Sequence, residues 1–278
     1  MPRFSIIVPA FGVTGRLSQA LDSVLAQSFG DFELIPVCDA PDSPAGAVAA
    51  AYAERHSRVV PLSSPSSGGP GVARTAGTGA ARGTYLLFLD GDDVLAPGAL
   101  EKIDARLSAT GDVDVLYFDH ERVHWWEAET STPPLGRAPD GVFAPGQAPE
   151  LTGVSVPVWS AAYRRAFVTE HRLTFSASHF TDIGWGGLVT LVAGRMAVLR
   201  SVCVRHLLRR QGDPLHTPGE HQLELLDQVD LVLTRAGELA LPAHRAKPLF
   251  EQLFSVVLRT AAHPKRLPAR LRRTFFRR

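Results

Sequence analysis

The chain has 278 residues, of which 45% are hydrophobic and 21% charged, enough apolar sequence for one large domain or one domain with an appendage. Lys and Arg number 29 against 28 Asp and Glu, so a general nucleic-acid-binding surface is not expected. Two cysteines do not make a disulfide framework, and no signal peptide or membrane-spanning stretch is apparent. The composition therefore predicts a soluble, cytoplasmic protein.

Strand and helix patterns alternate through the first 118 residues. Short apolar or β-branched runs indicate five strands, and apolar residues at helical spacing indicate four intervening helices. The expected strands are 4–9, 32–37, 59–62, 85–89 and 114–118, and the expected helices are 17–27, 45–56, 72–82 and 97–109, with Pro97 in a first turn. Repeated β–α units of this length predict a Rossmann-like, mostly parallel sheet with helices on both faces.

The second half of the chain has a different pattern. Residues 125–160 show little periodicity, which predicts an irregular excursion over the sheet edge, where acceptor-binding surfaces often lie. Beyond them we expect helices at 164–171 and 185–193, a strand at 196–204, and two helices between 218 and 262 that break near Leu241–Pro242. The chain then divides into a domain over 1–212 and a helical appendage over 213–278.

The last twenty residues form a basic tail. Its basic residues are Arg259, Lys265, Arg266, Arg270, Arg272, Arg273, Arg277 and Arg278, and Leu267, Leu271, Phe275 and Phe276 are interleaved with them. No acidic residue lies among them. Such a tail can lie on an anionic membrane surface. The alternative interpretation is a frayed, solvated chain end.

The string Asp90-Gly91-Asp92-Asp93 directly follows the apolar strand YLLFL. Acidic side chains at the carboxyl end of a buried parallel strand lie where α/β sheets bind ligands. Three neighbouring carboxylates repel one another unless they share a cation. Oxygen ligands suit Mg²⁺ or Mn²⁺, which can bridge to a diphosphate. We therefore expect a metal–diphosphate site here, with a helix N-cap cluster as the alternative.

Other segments reach the same sheet edge. Pro9-Ala10-Phe11 ends the first strand, and Asp39 follows the second. Gly71 and Arg74 open the helix before YLLFL, where glycine permits close backbone approach and arginine can make a bidentate contact. Taken singly, each residue also has an ordinary structural explanation: Asp39 could simply form a turn, and Arg74 could pair with a surface acid. Their convergence on one edge is the argument for a binding site.

These strings resemble those of inverting family 2 glycosyltransferases, which have a GT-A fold. The matching strings are FSIIVPAFG, VCDAPDS and, most specifically, GVARTAGTGAARGTYLLFLDGDDVL. The resemblance extends to about Gly212. YRRAFVTEHRLTF, HFTDIGW and HLLRRQGD resemble the glycosyltransferase domains of actinobacterial teichoic-acid-type cell-wall enzymes and of wall teichoic acid glycosyltransferases.

The resemblance implies roles for individual residues. Asp182 would be the general base, while Asp92 with Asp90, in a DXD motif, would bind Mn²⁺ or Mg²⁺. The nucleotide-binding half would be 1–120 and the acceptor-binding half 121–212. The residues implied to bind the nucleotide sugar are Pro9, Ala10, Phe11, Asp39, Arg74, Asp90, Gly91, Arg209 and Arg210. A helix cap is the ordinary alternative for Asp182.

The acceptor side has weaker signals. Of the four tryptophans, Trp185 stands beside Asp182, and Asp119 follows a strand, so both are expected to face the acceptor. His206 and His216 could add a nitrogen to the metal, although surface or core positions are the commoner ones for histidine. The chain departs from the family pattern at Cys38, Thr75 and Thr181, where the family usually has Asp, Asn and Glu.

The sequence thus predicts a metal-dependent inverting transferase with a nucleoside-diphosphate sugar donor, UDP-sugar by default. The expected acceptor is a hydroxyl of a cell-envelope polysaccharide, a teichoic-acid-like polymer or a lipid-linked molecule at the inner membrane face. Thr181 favours one alternative, a catalytically impaired nucleotide-sugar-binding module. A polyol-phosphate or nucleotidyl transferase could use the same metal site. A nicotinamide oxidoreductase fits poorly, because Gly12 and Gly15 do not form G-x-G-x-x-G.

Overall fold

A computed structural model provides the coordinates. The structure describes residues 1–10, 14–40, 42–64, 68–123, 128–129, 134–151, 156–207, 217–241, 243–263 and 266–278. Within these ranges no helix is long and apolar enough to cross a bilayer.

Nine strands are found in the described part of the chain: β1 Phe4–Ala10, β2 Phe32–Cys38, β3 Leu62–Ser63, β4 Tyr85–Phe88, β5 Val94–Leu95, β6 Val115–Val123, β7 Ala128–Glu129, β8 Ala161–Arg164 and β9 Met196–Leu207. They form one sheet in the order β3-β2-β1-β4-β8-β6-β9-β5, with β7 paired to β6. β1 and β2 are buried along their whole length because both faces of the sheet are covered, as expected from their continuous apolar runs.

The described helices follow the predicted order. They are α1 Thr14–Leu25, α2 Pro44–Arg55, α3 Gly69–Ala80, α4 Ala99–Thr110, α5 Arg165–Glu170, α6 Thr181–Val192, α7 Glu224–Glu238, α8 Ala243–Ala262 and α9 Ala269–Arg277. Short 3₁₀ turns occupy much of the described part of 134–160, so the irregular excursion is confirmed there.

The predicted parallel pairing holds for β3-β2-β1-β4 and for β6 with β9. In contrast, β8 is antiparallel to both β4 and β6, and β5 is antiparallel to β9. The second half of the sheet is therefore mixed. Strand direction there depends on long-range pairing, which the local β–α pattern does not report.

Several predicted boundaries are wrong. β3 is only Leu62–Ser63, and Val59 makes an isolated bridge to Leu34. Pro97 precedes α4 because Gly98, with a φ of 69°, is the N-cap. α6 begins at Thr181, four residues earlier than predicted. Asp182 therefore lies inside the first turn of this helix and is not its cap.

The C-terminal helices pack tightly on α6. A Cβ on Gly187 would lie 2.5 Å from Val232 Cγ2 of α7, and a Cβ on Gly184 would collide with Gln228 Oε1. These two glycines share one face of α6, three residues apart, and let α7 approach its backbone.

The end of the chain is a packed helix, so the alternative interpretation of a frayed chain end is wrong. Leu267, Leu271 and Phe275 are buried in a cluster with residues of α7 and α8. These side chains, expected to face a membrane, already have a protein partner.

Candidate functional site

The carboxyl ends of β1, β2 and β4 meet at one edge of the sheet, as predicted. Ala10 pairs with Cys38 in parallel register, which brings the end of β1 beside Asp39. The Leu89 N–H donates to the Ile7 carbonyl, so Asp90 leaves the sheet next to β1. Pro9 and Ala10 are buried, whereas Asp39 is exposed at this edge.

Arg74 is the centre of the site. Its Nη2 donates to Asp90 Oδ1 at 2.6 Å and its Nη1 donates to Asp182 Oδ1 at 2.8 Å. The Arg74 side chain is only 4% exposed and lies over the Phe175 ring, 5.7 Å from its centroid. Burial alone would lower the pKa of Arg74, but the two carboxylates raise it, so the guanidinium stays charged.

Close packing of α3 places Arg74 there. A Cβ on Gly77 would lie 2.5 Å from Ile7 Cγ2, and a Cβ on Gly71 would collide with the Ser176 carbonyl. Only glycine lets the helix lie this close to β1 and to the segment before α6. Thr75 adds to this contact, because its hydroxyl accepts a 3.0 Å hydrogen bond from the Phe175 N–H.

Asp182 has a partner on each carboxylate oxygen. Oδ1 accepts from Arg74, and Oδ2 accepts from the Val158 N–H at 3.3 Å. Burial raises the pKa of Asp182; the Arg74 charge opposes this, and the Asp90 charge adds to it, leaving the pKa above its ordinary value. The Asp182 side chain is nevertheless 36% exposed, so a ligand could reach it.

Asp93, the third carboxylate of the acidic turn, bonds to β9. This side chain is fully buried and accepts hydrogen bonds from the Leu207 N–H and His206 Nδ1, each at 3.0 Å. Burial lowers the pKa of His206, but the bond to Asp93 and the charges of the three aspartates outweigh that and raise it. Asp93 therefore fastens the acidic turn to β9, and only Asp90 and Asp92 remain as candidate metal ligands.

Trp159 joins the two sides of the site, which the sequence did not predict. Its ring stacks on His206 with centroids 5.1 Å apart and meets His120 edge-on at 4.7 Å. The preceding residue, Val158, bonds Asp182, and the following residue, Ser160, bonds His120 Nδ1 at 3.1 Å. No sequence signal marks this wall, because its contact to Asp182 comes from the main chain.

Of the two weaker acceptor predictions, the one for Trp185 is wrong, and the one for Asp119 stays a prediction. Trp185 is 1% exposed and stacks on Phe175 with ring centroids 3.9 Å apart, so it is a core residue. Asp119 lies at a register shift in β6, and the opposing charge it meets is that of Arg200. Its neighbour His120, and not Asp119, contacts Trp159 in the wall of the site.

The donor set at the acidic turn fits a divalent cation that is held partly by substrate. Asp90 and Asp92 offer carboxylate oxygens and are half-buried, while Asp93 is committed to β9. The parts of the chain that the structure describes hold no cluster of three or more His, Cys, Asp or Glu side chains arranged for a metal. Mg²⁺ is commonly bound by one or two carboxylates together with substrate phosphates, so two aspartates suffice.

Several predicted positions lie outside the described residues. Among the implied nucleotide-sugar contacts these are Phe11, Arg209 and Arg210. Gly12, Trp125, Trp126 and His216, weighed in the sequence, lie outside them as well.

Comparison with known families decides the affiliation. The profile described as "Glycosyl transferase family 2" matches residues 5–172, more than half of the chain. The chain belongs to glycosyltransferase family 2. This confirms the family resemblance seen in the sequence.

Two curated relatives show the extent of the sequence similarity. The "Uncharacterized glycosyltransferase EpsJ" of Bacillus subtilis is 37% identical over 103 residues, which cover 37% of this chain and 30% of the relative. The "Succinoglycan biosynthesis protein ExoO" of Rhizobium meliloti is 31% identical over 141 residues, covering 48% of this chain and 40% of the relative. The matches thus span less than half the length of these relatives.

Solved structures confirm the GT-A-like fold. S. aureus TarS 1-349 in complex with UDP-GlcNAc has a TM-score of 0.78 at 20% identity, covering 90% of this chain and 71% of that one. The mannosyltransferase PcManGT from Pyrobaculum calidifontis, in complex with GDP-Man and Mn²⁺, has a TM-score of 0.60 at 13% identity, covering 95% and 76%. At these identities the likeness concerns the fold alone.

Proposed function

We propose that this glycosyltransferase moves a sugar, with inversion, from a nucleoside-diphosphate sugar to an acceptor hydroxyl, using a divalent metal. The observation that carries the proposal is the single guanidinium of Arg74 that holds Asp90 and Asp182 together. One carboxylate belongs to the acidic turn suited to a metal–diphosphate, and the other has the exposure and raised pKa of a base. A donor bound at the turn would thus lie beside a proton acceptor.

In this mechanism Asp182 takes the proton of the acceptor hydroxyl as its oxygen attacks the anomeric carbon. Each carboxylate oxygen keeps a second lone pair beyond the bonds from Arg74 and Val158, so a hydroxyl can still bind. The two existing bonds fix the carboxylate orientation, and the raised pKa strengthens it as a base. Arg74 acts through the two carboxylates, which replaces the direct nucleotide contact implied by the family.

Asp92, with Asp90, would hold Mn²⁺ or Mg²⁺. The ion, when bound, stabilises the negative charge that develops on the leaving nucleoside diphosphate. Asp93 and His206 keep the turn in place through β9 and leave both candidate ligands facing the site edge. Pro9, Ala10, Asp39 and Gly91 line the same edge and are proposed to contact the nucleotide or its ribose, with Phe11, Arg209 and Arg210 completing the set.

UDP-sugar is the proposed donor, and a cell-envelope polysaccharide, teichoic-acid-like polymer or lipid-linked molecule is the proposed acceptor. TarS in complex with UDP-GlcNAc is a structural relative, and the curated relatives include proteins of succinoglycan and minor teichoic acid biosynthesis. We propose that the transferase domain covers 1–212, with 1–120 for the nucleotide and 121–212 for the acceptor, and that 213–278 is a helical appendage. The chain would work in the cytoplasm at the inner membrane face.

The test is calorimetric titration with UDP, with and without Mn²⁺, on the wild type and on Asp92→Ala. We expect metal-dependent binding that the variant loses. If the wild type binds neither UDP nor CDP, GDP or dTDP, the edge is not a donor site. Transfer or donor hydrolysis that survives in Asp182→Asn would contradict the assignment of the base.

A catalytically impaired nucleotide-sugar-binding module is the second candidate, and Thr181 favours it. This residue is 3% exposed, lies against Gly71, and its hydroxyl has no hydrogen-bond partner among the described residues. It supplies no carboxylate beside Asp182. The binding-module alternative would be supported if the protein bound the donor tightly but neither transferred the sugar to any acceptor fraction nor hydrolysed the donor.

A further inference from the structure

The C-terminal helix pair exposes large apolar side chains that the packed core does not use. Phe254 and Leu258 on α8 are 63% and 47% exposed, and Phe276 on α9 is 68% exposed. Phe254 and Phe276 are the only phenylalanines with such high exposure among the described residues. An apolar surface of this kind is more informative than scattered exposed leucines.

Helix α8 has two apolar faces. Leu249 and Leu253 are buried, 1% and 2% exposed, against α6 and α7. Phe254 and Leu258 are four residues apart, so they share another face, which points to solvent. The inner face explains the fold, and the outer face is exposed and also carries Lys247 and Glu251, which pair with each other.

Helix α9 carries the charge. Leu271 and Phe275 are buried in a cluster that contains Val257 and Ala261 of α8, so the two helices pack together. Its opposite side exposes Arg272, Arg273, Phe276 and Arg277. Arg270 and Arg278 are paired with Glu220 and Asp227, and no acidic residue follows Glu251 in the sequence.

We propose that the outer surface of α8 and α9, formed by Phe254, Leu258, Phe276, Arg272, Arg273 and Arg277, binds the anionic headgroups of a lipid bilayer. Arginines attract the headgroups, and the three apolar side chains enter the interface. A second copy of the chain is a poor occupant, because two such basic surfaces repel each other. This proposal rests on the proposed function in one respect: binding to the bilayer would bring the enzyme to a lipid-linked acceptor.

The test is co-sedimentation of the full chain with phosphatidylcholine vesicles, with and without phosphatidylglycerol. Two triple variants remove the arginines (Arg272→Gln, Arg273→Gln, Arg277→Gln) or the apolar residues (Phe254→Ser, Leu258→Ser, Phe276→Ser). Matched controls change exposed residues elsewhere (Arg16→Gln, Lys102→Gln, Arg137→Gln; Val60→Ser with Val142→Ser). Urea unfolding of each protein checks that the helix pair stays folded.

The wild type should bind only the anionic vesicles, and added salt should weaken binding. The arginine variant should lose on the order of 100-fold in partitioning, since each basic residue contributes about 1 kcal/mol at such a surface. The controls should bind like the wild type. Equal binding to neutral vesicles, undiminished binding by both triple variants, or a dimer that the variants abolish would overturn the proposal. Vesicle binding by a wild type that binds no nucleotide would contradict the proposed function and support this surface.

Discussion

Arg74 Nη1 lies 2.8 Å from Asp182 Oδ1 although 108 residues separate the two in sequence. The same guanidinium reaches Asp90 with its other terminal nitrogen. The planar guanidinium presents a separate terminal nitrogen to each acid in a fixed geometry, whereas an ammonium group offers its donors from a single nitrogen. This one side chain therefore links Asp182, the proposed base, directly to the acidic turn.

Replacing Arg74 with lysine should separate positioning from charge. Lysine keeps the charge but offers its donors from a single nitrogen, so it cannot reproduce the two-nitrogen geometry, and we expect kcat to fall about 100-fold through misplacement of the proposed base. The dissociation constant of UDP with Mn²⁺ should change only a few-fold in calorimetry. Arg55→Lys, on the exposed face of α2, is the matched control and should leave both quantities unchanged. Wild-type turnover by the Arg74 variant would contradict the role of the bridge.

Replacing Asp182 with asparagine should remove the proton acceptor and keep the shape. We expect transfer to fall by roughly 10²–10⁴-fold, the usual contribution of general-base catalysis, with donor binding retained. Asp140→Asn, at a carboxyl that is 93% exposed, is the control. Loss of nucleotide binding in the Asp182 variant would mean that this carboxylate serves the donor and not the acceptor.

The pH dependence of transfer should report the environment of Asp182. Burial and the Asp90 charge hold the pKa of Asp182 above its ordinary value. The protonated form cannot act as a base, so turnover should decline with falling pH starting at a higher pH than for an ordinary aspartate. The kcat profile at saturating donor and acceptor measures this. An acid limb at or below the ordinary carboxyl range would contradict it.

Asp92→Asn should mainly affect metal-dependent UDP binding, and Asp93→Asn should mainly affect the free energy of unfolding. Asp93 is buried and bonded to Leu207 and His206, so its loss should lower the free energy of unfolding by about 1–3 kcal/mol in urea titrations. Asp92 is half-buried at the site edge, so its loss should leave stability nearly unchanged and abolish metal-dependent UDP binding. Equal effects of the two changes on both measurements would show that the three aspartates act as one cluster.

Trp185→Ala should act on stability and not on acceptor choice. The ring is 1% exposed and stacks on Phe175, so its removal should lower the free energy of unfolding by about 3–5 kcal/mol. Trp185→Phe should recover part of this loss because a ring still faces Phe175. If the Trp185→Ala protein were fully stable and its acceptor preference changed, Trp185 would face the acceptor, as the sequence predicted.

Two glycine-to-alanine variants, one at the α6–α7 contact and one on the exposed side of α7, should change the free energy of unfolding in opposite directions. Gly187→Ala puts a Cβ 2.5 Å from Val232 and should destabilise the fold by about 1–3 kcal/mol. Gly237→Ala, on α7, meets nothing within 4 Å and should stabilise it by up to about 1 kcal/mol. Thermal unfolding measures both changes, and Val232→Ala combined with Gly187→Ala should restore part of the loss. A stabilising Gly187→Ala would contradict the close contact.

The local pattern was enough to predict β1, β2 and β4 and to bring the candidate site residues to one edge of the sheet. Continuous apolar runs identified β1, β2 and β4, and parallel pairing then required that Pro9, Asp39 and Asp90 share an edge. The local pattern was not enough to predict the antiparallel direction of β8 and β5, because their pairing partners are distant in sequence.

Within the site, composition could not rank neighbouring residues. Asp90, Asp92 and Asp93 look alike in sequence, but Asp93 turns inward to β9 and the others do not. Trp185 stands three residues after Asp182, the proposed base, yet packs in the core, whereas Trp159, 26 positions before Trp185, lies in the wall. The Val158 contact is made by a main-chain N–H, which any residue type except proline provides.

The bridge made by Arg74 also bears on how the protein folds. Its two acids come from segments 16 and 108 residues away, so the bridge forms only after distant parts of the sheet have paired. Contacts of such separation form late and slowly because chain closure must precede them. The recovery of transfer activity during refolding should therefore lag behind the recovery of helical signal, which makes turnover a sensitive probe of completed assembly.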